Sequence, residues 1–124
     1  MRKERRRRRA TTVTLALTYQ LDACCKEGKI QGMVVADGDG LPLAAAGDTY
    51  ACDEVAARMV HVGARVPQFD GTLLGSGHRW DVQMTKVMVD GSELLVCAVG
   101  GSKAQRKKQI ARGAEGALRI LAAA

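Results

Sequence analysis

The stretch GMVVADGDGLPLAAAGD, Gly32 to Asp48, decides how this chain folds. Two Asp-Gly pairs, Asp37-Gly38 and Asp39-Gly40, stand between two short apolar runs. Calcium binding, phosphate cradling and strand reversal all use loops of this composition. A calcium loop needs oxygen ligands at alternating positions, a Gly at the sixth and a bidentate Glu at the twelfth. With Gly40 at the sixth position, Val35 stands first and Ala46 twelfth, so both end ligands are missing. A Walker-type phosphate loop needs Gly-x-x-x-x-Gly-Lys-Ser/Thr between a strand and a helix, and two aspartates would repel phosphate. A turn between two strands remains, because Asp and Gly tolerate the left-handed conformations of a tight reversal. Met33, Val34 and Val35 show no polar alternation, as in a strand covered on both faces. Pro42 lacks an amide donor, which predicts that the second strand lies at a sheet edge or starts with a free amide.

Outward from this hairpin the periodicity changes. Upstream, Val13, Leu17, Leu21 and Cys24 recur at helical spacing, with Ala16 and Cys25 widening the stripe. Thr11 or Thr12 is expected to cap this helix and Gly28 to end it. Downstream, ACDEVAARMVHVGARVP predicts a second helix, capped by Asp48 or Thr49 and ended by Pro67. Val55, Met59, Val62 and Val66 form one stripe, and Ala56, Val60 and Gly63 a second beside it. Glu54, Arg58, His61 and Arg65 form the polar face, with Glu54 and Arg58 at ion-pair spacing. A helix on one sheet needs an apolar stripe of about 100°. The wider sector predicts a second partner, such as another copy of this helix. In the remainder, Asp90-Gly91 is a second hairpin turn and ELLVCAVG a continuous apolar strand for the sheet centre. GTLLGSG reads equally as a short strand or a loop. A last helix, capped by Ser102, is expected to bury Ile110, Ala114, Ala117, Leu118 and Leu121.

Its 124 residues suit a single domain with one core. Aromatics are only 3%, so the core is built from aliphatic residues and Ala, which favours close packing over a large aromatic-lined pocket. No stretch reads as a membrane span or signal peptide, which predicts a cytoplasmic protein. Cys24, Cys25, Cys52 and Cys97 show neither zinc spacing nor a disulfide framework and read as buried apolar residues. Cys52 differs if it opens a helix, where the dipole would lower its thiol pKa.

The net charge of +6 is carried by residues 2–9, RKERRRRR; the rest of the chain is balanced. Residues 1–10 are therefore expected to form a disordered Arg-rich arm, and residues 11–124 the domain. The arm reads either as a solvated extension, or an over-extended start of the reading frame, or as a contact. In the last case Arg5, Arg6, Arg7, Arg8 and Arg9 would touch nucleic acid, acidic lipid or an acidic protein. Lys103, Arg106, Lys107 and Lys108 sit where positive charge opposes the dipole of the last helix, which points to an acidic partner or a plain solvated face. Gly100-Gly101-Ser102-Lys103 could offer free amides to an anion but lacks the rest of a phosphate motif.

Catalysis finds no support. The two histidines, His61 and His78, accompany no nucleophile elbow and no paired carboxylates. No cofactor or metal is called for, and the aromatic-poor domain offers little for nucleic-acid stacking.

The order helix, two strands, helix, strands, helix implies an antiparallel five-stranded sheet. The first and last helices lie on one face and the middle helix on the other, an α/β (α+β) three-layer sandwich. LDACCKEGKIQGMVVADGDGLPLAAAGD, EVAARMVHVGARV and VDGSELLVCAVG, in that order, resemble the roadblock family of dynein light chains and bacterial partners of Ras-like GTPases. The resemblance spans residues 11 to 123 and implies a profilin/longin-like fold. It further implies dimerisation through the second helix and an adjacent edge strand, with Ala56, Met59, Val60 and Gly63 at the interface. The expected function is a non-catalytic adaptor or regulator of a Ras-like GTPase, or a light chain in a larger assembly. It would act as a homodimer, or a heterodimer with a relative. The alternative is a small-ligand sensor of a related profilin/GAF-like sandwich, with its ligand between sheet and helix. The Arg-rich arm and the Gly-rich FDGTLLGSGHRWD segment depart from the family pattern.

Overall fold

In the computed structural model, residues 2–75 and 77–123 are described, with side chains from Thr11 onward. Three helices and five strands follow one another as α1 (Arg2–Gly28), β1 (Gly32–Asp37), β2 (Pro42–Gly47), α2 (Thr49–Gly63), β3 (Gln68–Gly75), β4 (His78–Val89), β5 (Ser92–Val99) and α3 (Lys103–Ala122). The strands pair antiparallel in the order β2-β1-β5-β4-β3. The Asp-Gly stretch is the β1–β2 turn. Asp37 organises it by accepting from the amides of Asp39 and Leu41 through Oδ1, at 2.9 and 3.0 Å. Gly40 adopts φ +83°, a conformation closed to most L residues, and lies under Val60 and the Ala56 carbonyl.

The sheet separates two apolar layers. Leu17, Leu21, Cys24, Cys25, Met33, Val35, Val96, Ala98, Ile110 and Ala117 pack on the face covered by α1 and α3. Val34, Ala36, Cys52, Val55, Ala56, Met59, Trp80, Val82, Met84, Cys97 and Val99 pack on the face covered by α2. Each fully buried Val, Leu or Met contributes about 1.5–3 kcal/mol by leaving water. β1 and β5 are buried on both faces, which accounts for their unbroken apolar runs. β2 is an edge strand and Pro42 is its first residue, so both placements open to a strand proline are met.

Asp48 caps α2 and Ser102 caps α3, each accepting an amide hydrogen bond one turn in, from Ala51 and Gln105. Four expectations change. α1 runs through Thr11 and Thr12, so neither caps it, and its backbone is helical from Arg2. The side chains of Arg5–Arg9, and with them the contacts expected of the arm, lie outside the described residues. α2 ends at Gly63, capped by Ala64, before Pro67 is reached. Of GTLLGSG, residues 71–75 form the end of β3, an edge strand whose residues alternate between exposed and half-buried. Leu118 of α3 is 39% exposed, because the buried face is instead Arg106, Gln109, Ile110, Gly113, Gly116 and Ala117. Gly113 and Gly116 belong to that buried face, and a Cβ on Gly116 would lie 2.7 Å from the Gln20 side chain of α1, which would have to move aside.

Candidate functional site

The α2 face was expected to carry a dimer surface, and the structure redistributes it. Ala56, Met59 and Gly63 are buried against the sheet, and a Cβ on Gly63 would sit 2.8 Å from Leu95. α2 uses the inner part of the apolar sector, Val55, Ala56, Met59 and Gly63, within its own chain and leaves its flanks part-exposed. Val60 is half-buried on the flank beside the β1–β2 turn. The opposite flank faces β3, where the Arg58 guanidinium donates to the Leu74 carbonyl and ion-pairs with Glu54 at 4.0 Å. Val62, Phe69 and Leu73 are each half-buried against the core of this face, while Arg65 and Val66 are exposed. At the C-terminus of α2, Lys86 Nζ donates to the Gly63 carbonyl at 2.7 Å and pairs with Glu93 at 3.1 Å, a cation placed where the dipole favours one.

The two sheet edges are unlike. β2 is short, starts at Pro42 and pairs with β1 through a register shift at Val35/Ala36, all devices that discourage strand addition. β3 is longer and contains neither Pro nor Lys. Its Leu74 is 70% exposed. The side of β3 facing away from β4 carries no further strand among the described residues.

Sequence reasoning passed over a cluster of aromatic rings at the start of α2. Tyr50 lies 5.4 Å from His78 and 6.0 Å from Trp80, and the His78 and Trp80 rings stack at 5.1 Å with an 8° interplanar angle. Spacing along β4 was the available signal: His78 and Trp80 fall on one face of a strand, but only if the GSG segment is read as its turn.

The basic start of α3 divides in two. Arg106 is buried, and its guanidinium donates to the carbonyls of Gly100 and Gly101 at 3.0 and 2.7 Å, so it serves the preceding loop rather than a partner. Lys108 is exposed. Lys103 and Lys107 turn toward β3 and line a cleft of about 630 Å³ with Gln68, Asp70, Gln83 and Thr85. The sparse aromatics argued against a pocket; this one forms outside the core, where the sheet extends beyond α3.

All four cysteines are free and buried. Burial pushes the Cys24 thiol up, the Cys25 thiol up to about 11 and the Cys52 thiol up to about 12; it raises Cys97 as well. Cys52 does stand in the first turn of α2, yet desolvation outweighs any lowering by the helix dipole. No group of three or more His, Cys, Asp or Glu side chains could hold a metal among the described residues. No helix among them is long and apolar enough to cross a membrane.

Two helices on one face, one on the other and an unguarded β3 edge define a roadblock-type α–β–α sandwich. Solved structures share it. An MglB with a tetrameric arrangement matches with a TM-score of 0.69 at 17% identity, over 90% of this chain and 91% of that one. Myxococcus xanthus MglB matches with a TM-score of 0.64 at 12% identity, over 89% and 90%. A Roadblock/LC7 domain from Streptomyces avermitilis matches with a TM-score of 0.51 at 16% identity, over 83% and 92%. No family model matches the sequence, and no curated protein does. At such identities the likeness is one of fold.

Proposed function

We propose that this protein is a non-catalytic, dimeric adaptor or regulator of a Ras-like small GTPase. The observation that carries the reading is the match to MglB structures over nine-tenths of both chains, joined to an edge strand left open for a partner. The dimer of this reading joins β3 to β3 of a second copy or a relative and packs α2 on α2 through the flank of Arg58, Val62, Arg65 and Val66. This replaces Ala56, Met59 and Gly63, which have no surface to offer. The free thiols accord with a cytoplasmic setting. The Arg-rich arm supplies a salt-sensitive contact to nucleic acid, acidic lipid or an acidic protein surface.

The test is a titration of the full chain into the Ras-like GTPases of its own genome, in GTP and GDP states. Binding is read by sedimentation and turnover by phosphate release. Complex formation with one nucleotide state and a changed turnover rate are expected. The absence of binding to every such GTPase would sink the reading. Repeating the titration without residues 2–9 and at raised salt isolates the arm, which is inert toward the GTPase if neither change weakens binding. The second reading, a small-ligand sensor, is favoured by one observation, the cleft beside α3. The two are compatible, since the cleft opens on the sheet face opposite α2.

A further inference from the structure

The face of the sheet that carries α1 and α3 is incompletely covered. α1 packs over β1 and β2, and α3 over β5 and β4, which leaves β3 with no helix above it. The cleft of about 630 Å³ occupies this gap, within the range of about 300–1,000 Å³ usual for small-ligand sites. One ion pair, Lys103 to Asp70 at 3.0 Å, ties α3 to β3 across it.

Three features of its wall remain unmatched by the protein itself. Gln83 lines the cleft and is only 8% exposed, yet its Oε1 has no hydrogen-bond partner among the described residues. That oxygen is itself enclosed, so a ligand in the cleft meets the amide through its Nε2 or by a turn of the side chain. A buried amide oxygen without a partner is less favourable than an apolar group of the same shape, so its presence asks for a reason. Lys107 also lines the cleft and forms no ion pair among the described residues, whereas the charge of Lys103 is met by Asp70. Val87, Ile110 and Ala114 give the third feature, an apolar stretch of wall.

We propose that this cleft binds a small organic anion in which an acidic group and an amide-like donor–acceptor edge are joined by an apolar body. The anion meets Lys107, the edge meets the Gln83 amide, and the body lies on Val87, Ile110 and Ala114. Carboxylates such as N-acyl amino acids and phosphates such as nucleoside monophosphates share this chemistry. The site rests on the small-ligand sensor reading and deepens it. It is independent of the GTPase reading, because α2 takes no part in it and β3 contributes only its face, through Gln68 and Asp70.

The test uses the full ¹⁵N-labelled chain titrated with N-acetyl-leucine and with AMP, with acetate and inorganic phosphate as bare-anion controls. At least one probe is expected to shift the Gln83 side-chain NH₂ signals together with the backbone of Ala111 and Thr85. Whichever probe does so tells carboxylate from phosphate. Gln83→Met and Lys107→Glu should each weaken that binding by about tenfold or more, the usual effect of removing a charge-assisted or buried polar contact. Gln83→Met should at the same time leave the melting temperature unchanged or raise it, since it removes an unpaired amide. The proposal is overturned if neither probe shifts these signals beyond its bare-anion control. A lowered melting temperature for Gln83→Met would overturn it too, because the amide would then serve the fold.

Discussion

Gly47, the last residue of β2, has φ +83°, and a Cβ there would lie 2.3 Å from the Gln31 carbonyl oxygen and 2.9 Å from the Gly32 Cα. Both neighbours are backbone, which cannot step aside as a long side chain can. Gly47→Ala should therefore cost more than about 1 kcal/mol, the usual gain from stiffening an unfolded chain being reversed by strain. It is checked by urea unfolding at fixed protein concentration, as a lower midpoint at unchanged slope. A wild-type midpoint would mean that the β1 backbone gives way. At this scale legibility depends on whether a residue acts locally. Asp48 and Ser102 were readable as caps because a cap is a relation between near neighbours in sequence. Gly116 and Gln83 were not, because the first matters through Gln20 on another helix and the second through what α3 fails to cover.

Among the elements, α2 shows how a correct periodicity can yield a wrong surface. Its apolar positions were legible: Val55, Ala56, Met59 and Gly63 are buried, Val60 and Val62 half-buried and Val66 exposed. The division into a sheet stripe and a partner stripe failed because it assumed a narrow sheet contact, while the broad surface of β1, β5 and β4 takes Ala56 and Gly63 as well. The start of the same helix carries a pH-dependent contribution. The Asp48 carboxylate accepts from the Ala51 amide at 3.1 Å and from Gln31 Nε2 at 2.9 Å, and these bonds hold its pKa below the ordinary value. Because the folded-state pKa is depressed, this stabilisation is complete above the unfolded-state value of about 3.9 and is lost as pH falls through the folded-state value. Asp48→Asn, which keeps a capping oxygen and removes the charge, should melt below wild type near pH 7. The gap should close progressively as the pH drops below about 4, read by thermal melts across pH 2–7. A gap independent of pH would assign the loss to geometry rather than to charge.

For the whole molecule, the three-layer order was legible from alternating periods and from turn chemistry, since those patterns are repeated within every element. What pairs with β3 was not, because a sheet edge is defined by the strand that is missing. β2 is guarded by Pro42 and a register shift, whereas β3 has neither, its one side-chain contact to the backbone being Arg58 on the Leu74 carbonyl among the described residues. Unguarded edges of eight residues persist in soluble proteins when another chain covers them, and the dimer reading follows from that contrast as much as from the fold likeness. If the dimer forms, its melting temperature must rise with protein concentration, because association stabilises only the folded chains. Leu74→Lys places a charge on the exposed strand edge without disturbing either apolar layer, since Leu74 is 70% exposed. The variant should sediment as a monomer at low micromolar concentration and melt at a temperature independent of concentration, at or below the wild-type value at its most dilute. Gly63→Glu could not serve this purpose, because its side chain would strike Leu95 and disturb the packing of the monomer along with any dimer. Wild-type protein that sediments as a monomer throughout would leave the sandwich intact but remove the paired sheet on which the adaptor reading rests. A Leu74→Lys variant that stays dimeric would move the interface away from β3, toward the aromatic rings at the head of α2.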